Sequence, residues 1–191
     1  SAPSSTRSDA DRLPVSPTAN VLSARDQYLA ENDFSVKEYT TPTVRLKFFG
    51  RYFDLPNSPG RQWAIPLHDL HHLATGYGTD FVGEAEVGAW ELRAGCRQPI
   101  VYALNAAAVL IGLTLAPRRV LAAFRAGRGA RSLYRTPLAY EAALAMTVGE
   151  LRARLGMPAS GLAREPRRLH ADAEARQAMT RQGEVGAPGA A

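Results

Sequence analysis

Three of the four histidines in the chain fall within five residues, in Pro66-Leu67-His68-Asp69-Leu70-His71-His72-Leu73. His68 and His72 stand four apart, which on a helix puts both on one face with Cβ atoms about 5–6 Å apart, close enough for two imidazoles to share a cation. His71 points roughly 100° away from His72. Two imidazoles leave a zinc, iron or manganese site incomplete, so a carboxylate must join them, and Glu84 is the geometric candidate. On one unbroken helix Glu84 would lie about 18 Å along the axis from His72, too far to share an ion. The chain must therefore reverse, and Gly76 and Gly78 permit that because glycine reaches positive φ. An antiparallel hairpin then sets His72 and Glu84 within about a turn of the connection. Gly83 and Gly88 flank Glu84 with little bulk, which would let the two helices approach closely around the ion. Asp69 fits either as a direct ligand, the option favoured, or as an acceptor that orients an imidazole. Glu86 is turned about 200° from Glu84 and Glu91 lies nearly two turns further along, so both are expected to be solvated or salt-bridging.

Such a hairpin needs a helical frame. At 191 residues the chain fits one domain. Its hydrophobic share is 46% with only 8% aromatics, so the core must be built from Ala, Leu and Val, which favours helices. The expected fold is mainly α, a single-domain helical bundle carrying a metal-binding helical hairpin. The expected organisation is a flexible N-terminal segment (1–20), a helical domain (21–157) and a flexible tail (158–191), in which 164–181 has too thin an apolar face to dock strongly. Within the domain, 24–29 reads as a short helix, 43–53 as a hairpin or a helix, and 55–60 as a turn. Helical composition runs over 67–75 from Pro66, breaks at Gly76-Tyr77-Gly78, and resumes after a cap at Thr79 or Asp80 up to Ala94. Residues 100–115 are almost wholly apolar between Pro99 and Pro117, but short of the ~20 needed to span a bilayer. They read equally as a buried core helix or as the wall of a groove for an apolar ligand. Helices over 118–126 and 137–155 complete the set, and no internal repeat is visible.

The formal charge is +5, and apart from Lys37 and Lys47 every basic residue is arginine, whose planar fork suits phosphates, carboxylates and anionic surfaces. Arg118, Arg119, Arg125, Arg128, Arg131 and Arg135 occur with no acidic residue between Leu92 and Tyr140. Arginine beside apolar sequence suggests docking on an anionic membrane face. Nucleic acid is disfavoured as a partner, because few aromatics interleave and no standard motif is present. The single cysteine, Cys96, excludes an intramolecular disulfide and the paired-cysteine zinc sites. Imidazole and carboxylate suit one divalent metal ion, zinc favoured, with iron, manganese, cobalt and magnesium as alternatives. No apolar run lies near Ser1, and Asp9 and Asp11 argue against a signal or transit peptide, so a cytoplasmic setting is expected.

The run HDxxH, eleven residues, Glu, here His68-Asp69-Leu70-His71-His72 through Glu84, resembles the metal-ligand motif of the Coq-four family of ubiquinone biosynthesis proteins. The run from Gly78 to Glu84 and the closing stretch from Val148 to Gly156 also look like that family, so the resemblance covers roughly 66–157. Upstream of Pro66 the family's pattern is absent, which bears on the substrate rather than on the metal. The resemblance implies a mainly helical protein, peripheral on the inner face of the membrane, with His68, Asp69, His72 and Glu84 as ligands. It further implies action on a polyprenylated aromatic ring, namely removal of the ring carboxylate with hydroxylation at that carbon. A prenylated lipid or quinone precursor, other quinone-biosynthesis proteins and a second copy of the chain are the implied partners. Two other readings fit the same residues. One is a non-catalytic prenyl-lipid-binding scaffold. The other is a metal-dependent hydrolase with Asp69 as general base; the related histidine-aspartate phosphohydrolases need an earlier histidine, and none precedes His68.

Overall fold

Start and stop signals in the sequence set most of the frame. The computed structural model describes residues 12–13, 15–32, 34–48, 51–163 and 167–168. Strand β1 (Arg12–Leu13) pairs antiparallel with β4 (Arg167–Arg168). Asn20 caps α1 (Val21–Glu31) by accepting from the Ser23 N–H, and a 3-10 turn spans Val36–Tyr39. Residues 43–53, open between two readings, form a hairpin: β2 (Thr43–Phe48) pairs antiparallel with β3 (Arg51–Pro56), from Thr43 opposite Pro56 to Phe48 opposite Arg51. The alternation Val44-Arg45-Leu46-Lys47-Phe48 has the period-two spacing of a strand rather than the 3.6 of a helix.

Helix α2 (Pro59–Thr75) begins well before Pro66, because Ser58 accepts from the Arg61 N–H and Pro59 takes the first position. The expected turn over 55–60 is thereby shared between the end of β3 and the first turn of α2. Pro66 sits inside the helix, where it forfeits one backbone bond; burial of Leu67, Leu70, Leu73 and Ala74 offsets that loss. Gly76 ends α2 at φ 81°, a left-handed conformation that a side chain would strain, and its N–H bonds back to the His72 carbonyl. Asp80 then caps α3 (Phe81–Ala94) through the Gly83 N–H, completing the anticipated helix, tight turn and helix. The remaining helices are α4 (Pro99–Leu115), α5 (Pro117–Ala126), α6 (Tyr140–Leu144) and α7 (Val148–Arg154). The described residues thus form a mainly helical fold.

The expected helix over 137–155 is broken into α6 and α7, and the cause lies outside it. Residues 15–20, expected to be loose, bring the Ala19 carbonyl to the Val148 N–H and the Val21 N–H to the Met146 carbonyl. These backbone groups are then no longer available to a continuous helix. A capping box between Thr147 and Glu150 restarts the chain as α7. Residues 1–11 and 169–191, the outer parts of the two ends expected to be flexible, lie outside the described residues, as does most of the 164–181 stretch.

Helix α3 packs most closely on α4 and α5, and α2 meets both α3 and α4. Small residues govern the approach of α3 to α4: a Cβ at Gly112 would lie 2.2 Å from that of Ala85, and one at Gly88 would touch Asn105. Gly88 therefore makes room for α4, not for α2 as expected, and a Cβ at Gly83 would lie 2.0 Å from the Gly78 carbonyl oxygen of the turn. Helix α4 in turn buries only Val101, Asn105 and Gly112. It is not a buried core helix: Leu110 is 67% and Leu115 58% exposed. No described helix is long and apolar enough to cross a membrane.

Arg152 ties the ends to this core. It is fully buried and donates to the carbonyls of Ala74, Val15 and Ala159 at 2.7–2.9 Å and to that of Leu73 at 3.3 Å. Two of these carbonyls end α2, where the negative end of the helix dipole favours a cation. Replacing Arg152 with Met strands four acceptors in the interior, and we expect a loss of about 3 kcal/mol, read as a lower urea midpoint at unchanged slope.

Candidate metal centre

Helix spacing and the glycine turn bring together what the sequence suggested. His68 and His72, one turn apart on α2, and Glu84, on the first turn of α3, place their ligand atoms within 4.8 Å of one another. The two imidazole Nε2 atoms are 3.1 Å apart, His68 Nε2 lies 3.3 Å from Glu84 Oε2, and His72 Nε2 lies 3.4 Å from Glu84 Oε1. Donors bound at 2.0–2.1 Å around a tetrahedral ion are about 3.3 Å apart, so the two imidazoles, and each imidazole with its nearer Glu84 oxygen, stand at separations compatible with a zinc-sized cation.

Hydrogen bonding points the same way. His72 Nδ1 faces the Tyr77 carbonyl at 3.2 Å, and His68 Nδ1 faces Glu91 Oε1 at 2.8 Å. Each is an acceptor, so each Nδ1 can hold a proton and leave its Nε2 facing inward, where a bound cation would meet two imidazole lone pairs and a carboxylate. Burial alone would lower the basicity of His68, but Glu91 first and then Glu84 raise it well above the ordinary imidazole value. Burial likewise works against ionisation of Glu84, yet His72 and His68 hold its carboxyl below the usual carboxylate range. The side chains of His68 and Glu84 are 23% and 39% exposed whereas that of His72 is 1% exposed, so the group opens to the surface on one side. On the closed side Tyr28 from α1 stacks on His72 with ring centres 5.8 Å apart. The group can hold a metal ion.

Asp69 stands outside this group. Its carboxylate is buried and accepts from the Tyr39 hydroxyl at 2.5 Å, and burial pushes its pKa up even though Tyr39 and the two imidazoles pull it down. Tyr39 interacts in turn with the hydroxyl of Tyr140, to which Arg25 donates at 2.8 Å. His71 does point elsewhere: its Nδ1 donates to Glu91 at 2.6 Å and its Nε2 accepts from the Leu133 N–H at 2.9 Å, which leaves no lone pair for a metal. Glu86 is salt-bridged as expected, its two oxygens accepting from Nε and Nη2 of Arg119 at 2.6–2.8 Å. Glu91 is more than the solvated or bridging residue anticipated, for it is fully buried beneath the histidines. Its place in the sequence, nearly two turns beyond Glu84, argues against sharing the ion with His72, whereas His68, one turn further from the connection, is the residue it meets. The seven-residue spacing of Glu84 and Glu91, which repeats one helix face, was the available signal.

Comparison with known proteins gives no match to any family model, curated protein or solved structure. The resemblance to the Coq-four family accordingly rests on the motif residues.

Two outcomes follow. Elemental analysis of untagged protein should show about one equivalent of metal, abolished in His72→Ala and Glu84→Ala but retained in His71→Gln, which instead lowers the melting temperature. Cys96, next to the buried network, should be inert. Burial and then the charge of Glu91 push its thiol up to about 11. A thiol reacts as thiolate, so at pH 8 alkylation should run at least a hundredfold slower than for a free thiol and accelerate only as the pH approaches 11.

Proposed function

We propose that this protein binds one divalent metal ion, zinc favoured, through His68, His72 and Glu84 and acts on a polyprenylated aromatic acid, removing its ring carboxylate. The observation that carries the reading is the three-donor group itself, whose exposed side leaves room for a further oxygen ligand, the mark of a working rather than a purely structural site. The chemistry a divalent cation supplies there is Lewis-acid withdrawal of charge from a phenolate or carboxylate oxygen. The chain's own residues hold the two imidazoles and the carboxylate in place and, through Tyr28, close the inner side to water. Loss of the carboxylate breaks the ring-to-carboxyl bond, leaves the electron pair on the ring carbon to take up a proton, and releases carbon dioxide. The hydroxylation that the resemblance also implies would need dioxygen together with two electrons and two protons from an external reductant, the second oxygen atom leaving as water.

The surface supports a lipid partner. Ile100, Tyr102, Leu104, Leu110 and Leu115 of α4 and Leu121 and Phe124 of α5 are exposed. Exposed Arg118, Arg125 and Arg128 lie on or just past α5. Exposed apolar side chains followed in sequence by exposed arginines match the chemistry of an anionic bilayer interface, where a prenyl tail would be met, and we assign α4 and α5 to peripheral docking on the inner leaflet. Association with other quinone-biosynthesis proteins or a second copy would use surfaces that remain free beside them.

The test is release of labelled carbon dioxide from a carboxyl-labelled prenyl hydroxybenzoate offered in anionic vesicles. Turnover should depend on added metal and fall below detection in His72→Ala, with helical content unchanged. Undiminished turnover in that metal-free variant would refute the reading. Metal and bound prenyl lipid without carbon dioxide release would instead establish the scaffold alternative.

A further inference from the structure

Glu91 is a carboxylate removed from water on every side, and its partners can be counted. Oε1 accepts from His68 Nδ1 at 2.8 Å, His71 Nδ1 at 2.6 Å and the Tyr134 hydroxyl at 2.9 Å. Oε2 accepts from the Asn105 amide at 2.6 Å. Donors aimed at both oxygens, two of them histidine N–H groups, favour the ionised acid. Ionised carboxylates in the interior are normally balanced by a fixed cation, because the cost of desolvation is several kcal/mol per ion. Here the described salt bridges of Glu91 run only to His68 and His71. His71 is neutral, since its second nitrogen accepts a backbone N–H. The charge of Glu91 therefore has one outlet, the imidazole of His68, whose far nitrogen faces His72 and Glu84.

Resting on the metal reading above, we propose that Glu91 is the positioning residue of the centre: it fixes His68 with Nε2 toward the ion and supplies the second negative charge for a divalent cation. Two neutral imidazoles and one carboxylate leave a dication with one uncompensated charge, and Glu91, acting through the ring of His68, cancels it. A carboxylate behind a ligating imidazole both sets the tautomer and makes the ring a stronger donor. The other contacts of Glu91 keep it from swinging away. His71 comes from α2, Asn105 from α4 and Tyr134 from the segment after α5, so the carboxylate is clamped from three directions while only its contact with His68 leads to the metal group.

Glutamine at position 91 separates charge from shape. Its amide oxygen can keep the three donors on one side, and a turned Asn105 amide can accept from its nitrogen, so the packing survives while the charge is lost. Zinc affinity is measured by competition with a chromophoric chelator in the parent, Glu91→Gln and Tyr134→Phe, each checked for helical content and cooperative melting. We expect Glu91→Gln to bind zinc 10–100-fold more weakly and Tyr134→Phe, which removes one neutral donor to the same oxygen but leaves both the charge and the His68 contact in place, to stay within about threefold of the parent. Parent-like affinity in Glu91→Gln, or equal weakening in both variants, would overturn the positioning role and leave the metal centre standing. A parent that binds no zinc would overturn both. Should Glu91→Gln not fold, long-range proton–nitrogen NMR of the cadmium-loaded parent decides. Cadmium on His68 Nε2 with a proton retained on Nδ1 is the expected result, and cadmium on Nδ1 would overturn the proposal.

Discussion

A buried anion has to be surrounded by donors, and in this protein that requirement organises the interior. The carboxylate of Glu91 draws its four partners from α2, α4 and the segment carrying Tyr134, so the elements that pack on α3 are also those that satisfy its one fully buried charge. Each of those partners is itself spoken for. His71 closes onto the Leu133 backbone and between the rings of Trp90 and Tyr134, and Asn105 fills the place that Gly88 leaves open. Hydrophobic burial supplies the driving force for folding, but it is indifferent to small sliding of one helix past another. The hydrogen bonds to Glu91 are directional, so they fix which turn of α2 faces which turn of α3.

The metal group inherits its accuracy from this register. His68 and His72 lie on one helix, Glu84 lies on the next, and the 3.3–3.4 Å approach of each imidazole to its nearer Glu84 oxygen depends on the two helices meeting at the right level. Gly76 makes the reversal sterically possible, while the contact of Gly83 with Gly78 sets how tightly α3 turns away from the connection. A flexible link of the same length would bring the carboxylate near the imidazoles without holding it there.

Much of this was legible in the residues because it is written in local rules. The i, i+4 histidines, the glycine reversal and the cap at Asp80 are each decided within a few positions, and the fold follows them. What was not legible came from partners distant in sequence. The break between α6 and α7 is caused by backbone groups of residues 19 and 21, and the start of α2 was obscured by Pro66, whose penalty is outweighed only by burial seen in three dimensions. Asp69 turns to Tyr39, thirty positions earlier, a contact that no local spacing discloses. Glu91 was undervalued for a related reason: its place was judged by its distance along the helix from Glu84, whereas its surroundings are set by α2, by α4 and by Tyr134. Composition correctly gave helices, yet it left α4 undecided, since an apolar run reads the same whether its partner is the protein's own core or something outside it.

The two ligating histidines are supported in different currencies of heredity. The acceptor behind His68 is a side chain, so a single substitution at position 91 can alter or delete it. The acceptor behind His72 is the main-chain carbonyl of Tyr77, which every amino acid possesses, and only a change in the path of the turn can withdraw it. Variation among descendants of this chain would therefore reach the centre asymmetrically, with one ligand open to adjustment by point mutation and the other insulated from it for as long as the turn at Gly76 keeps its shape.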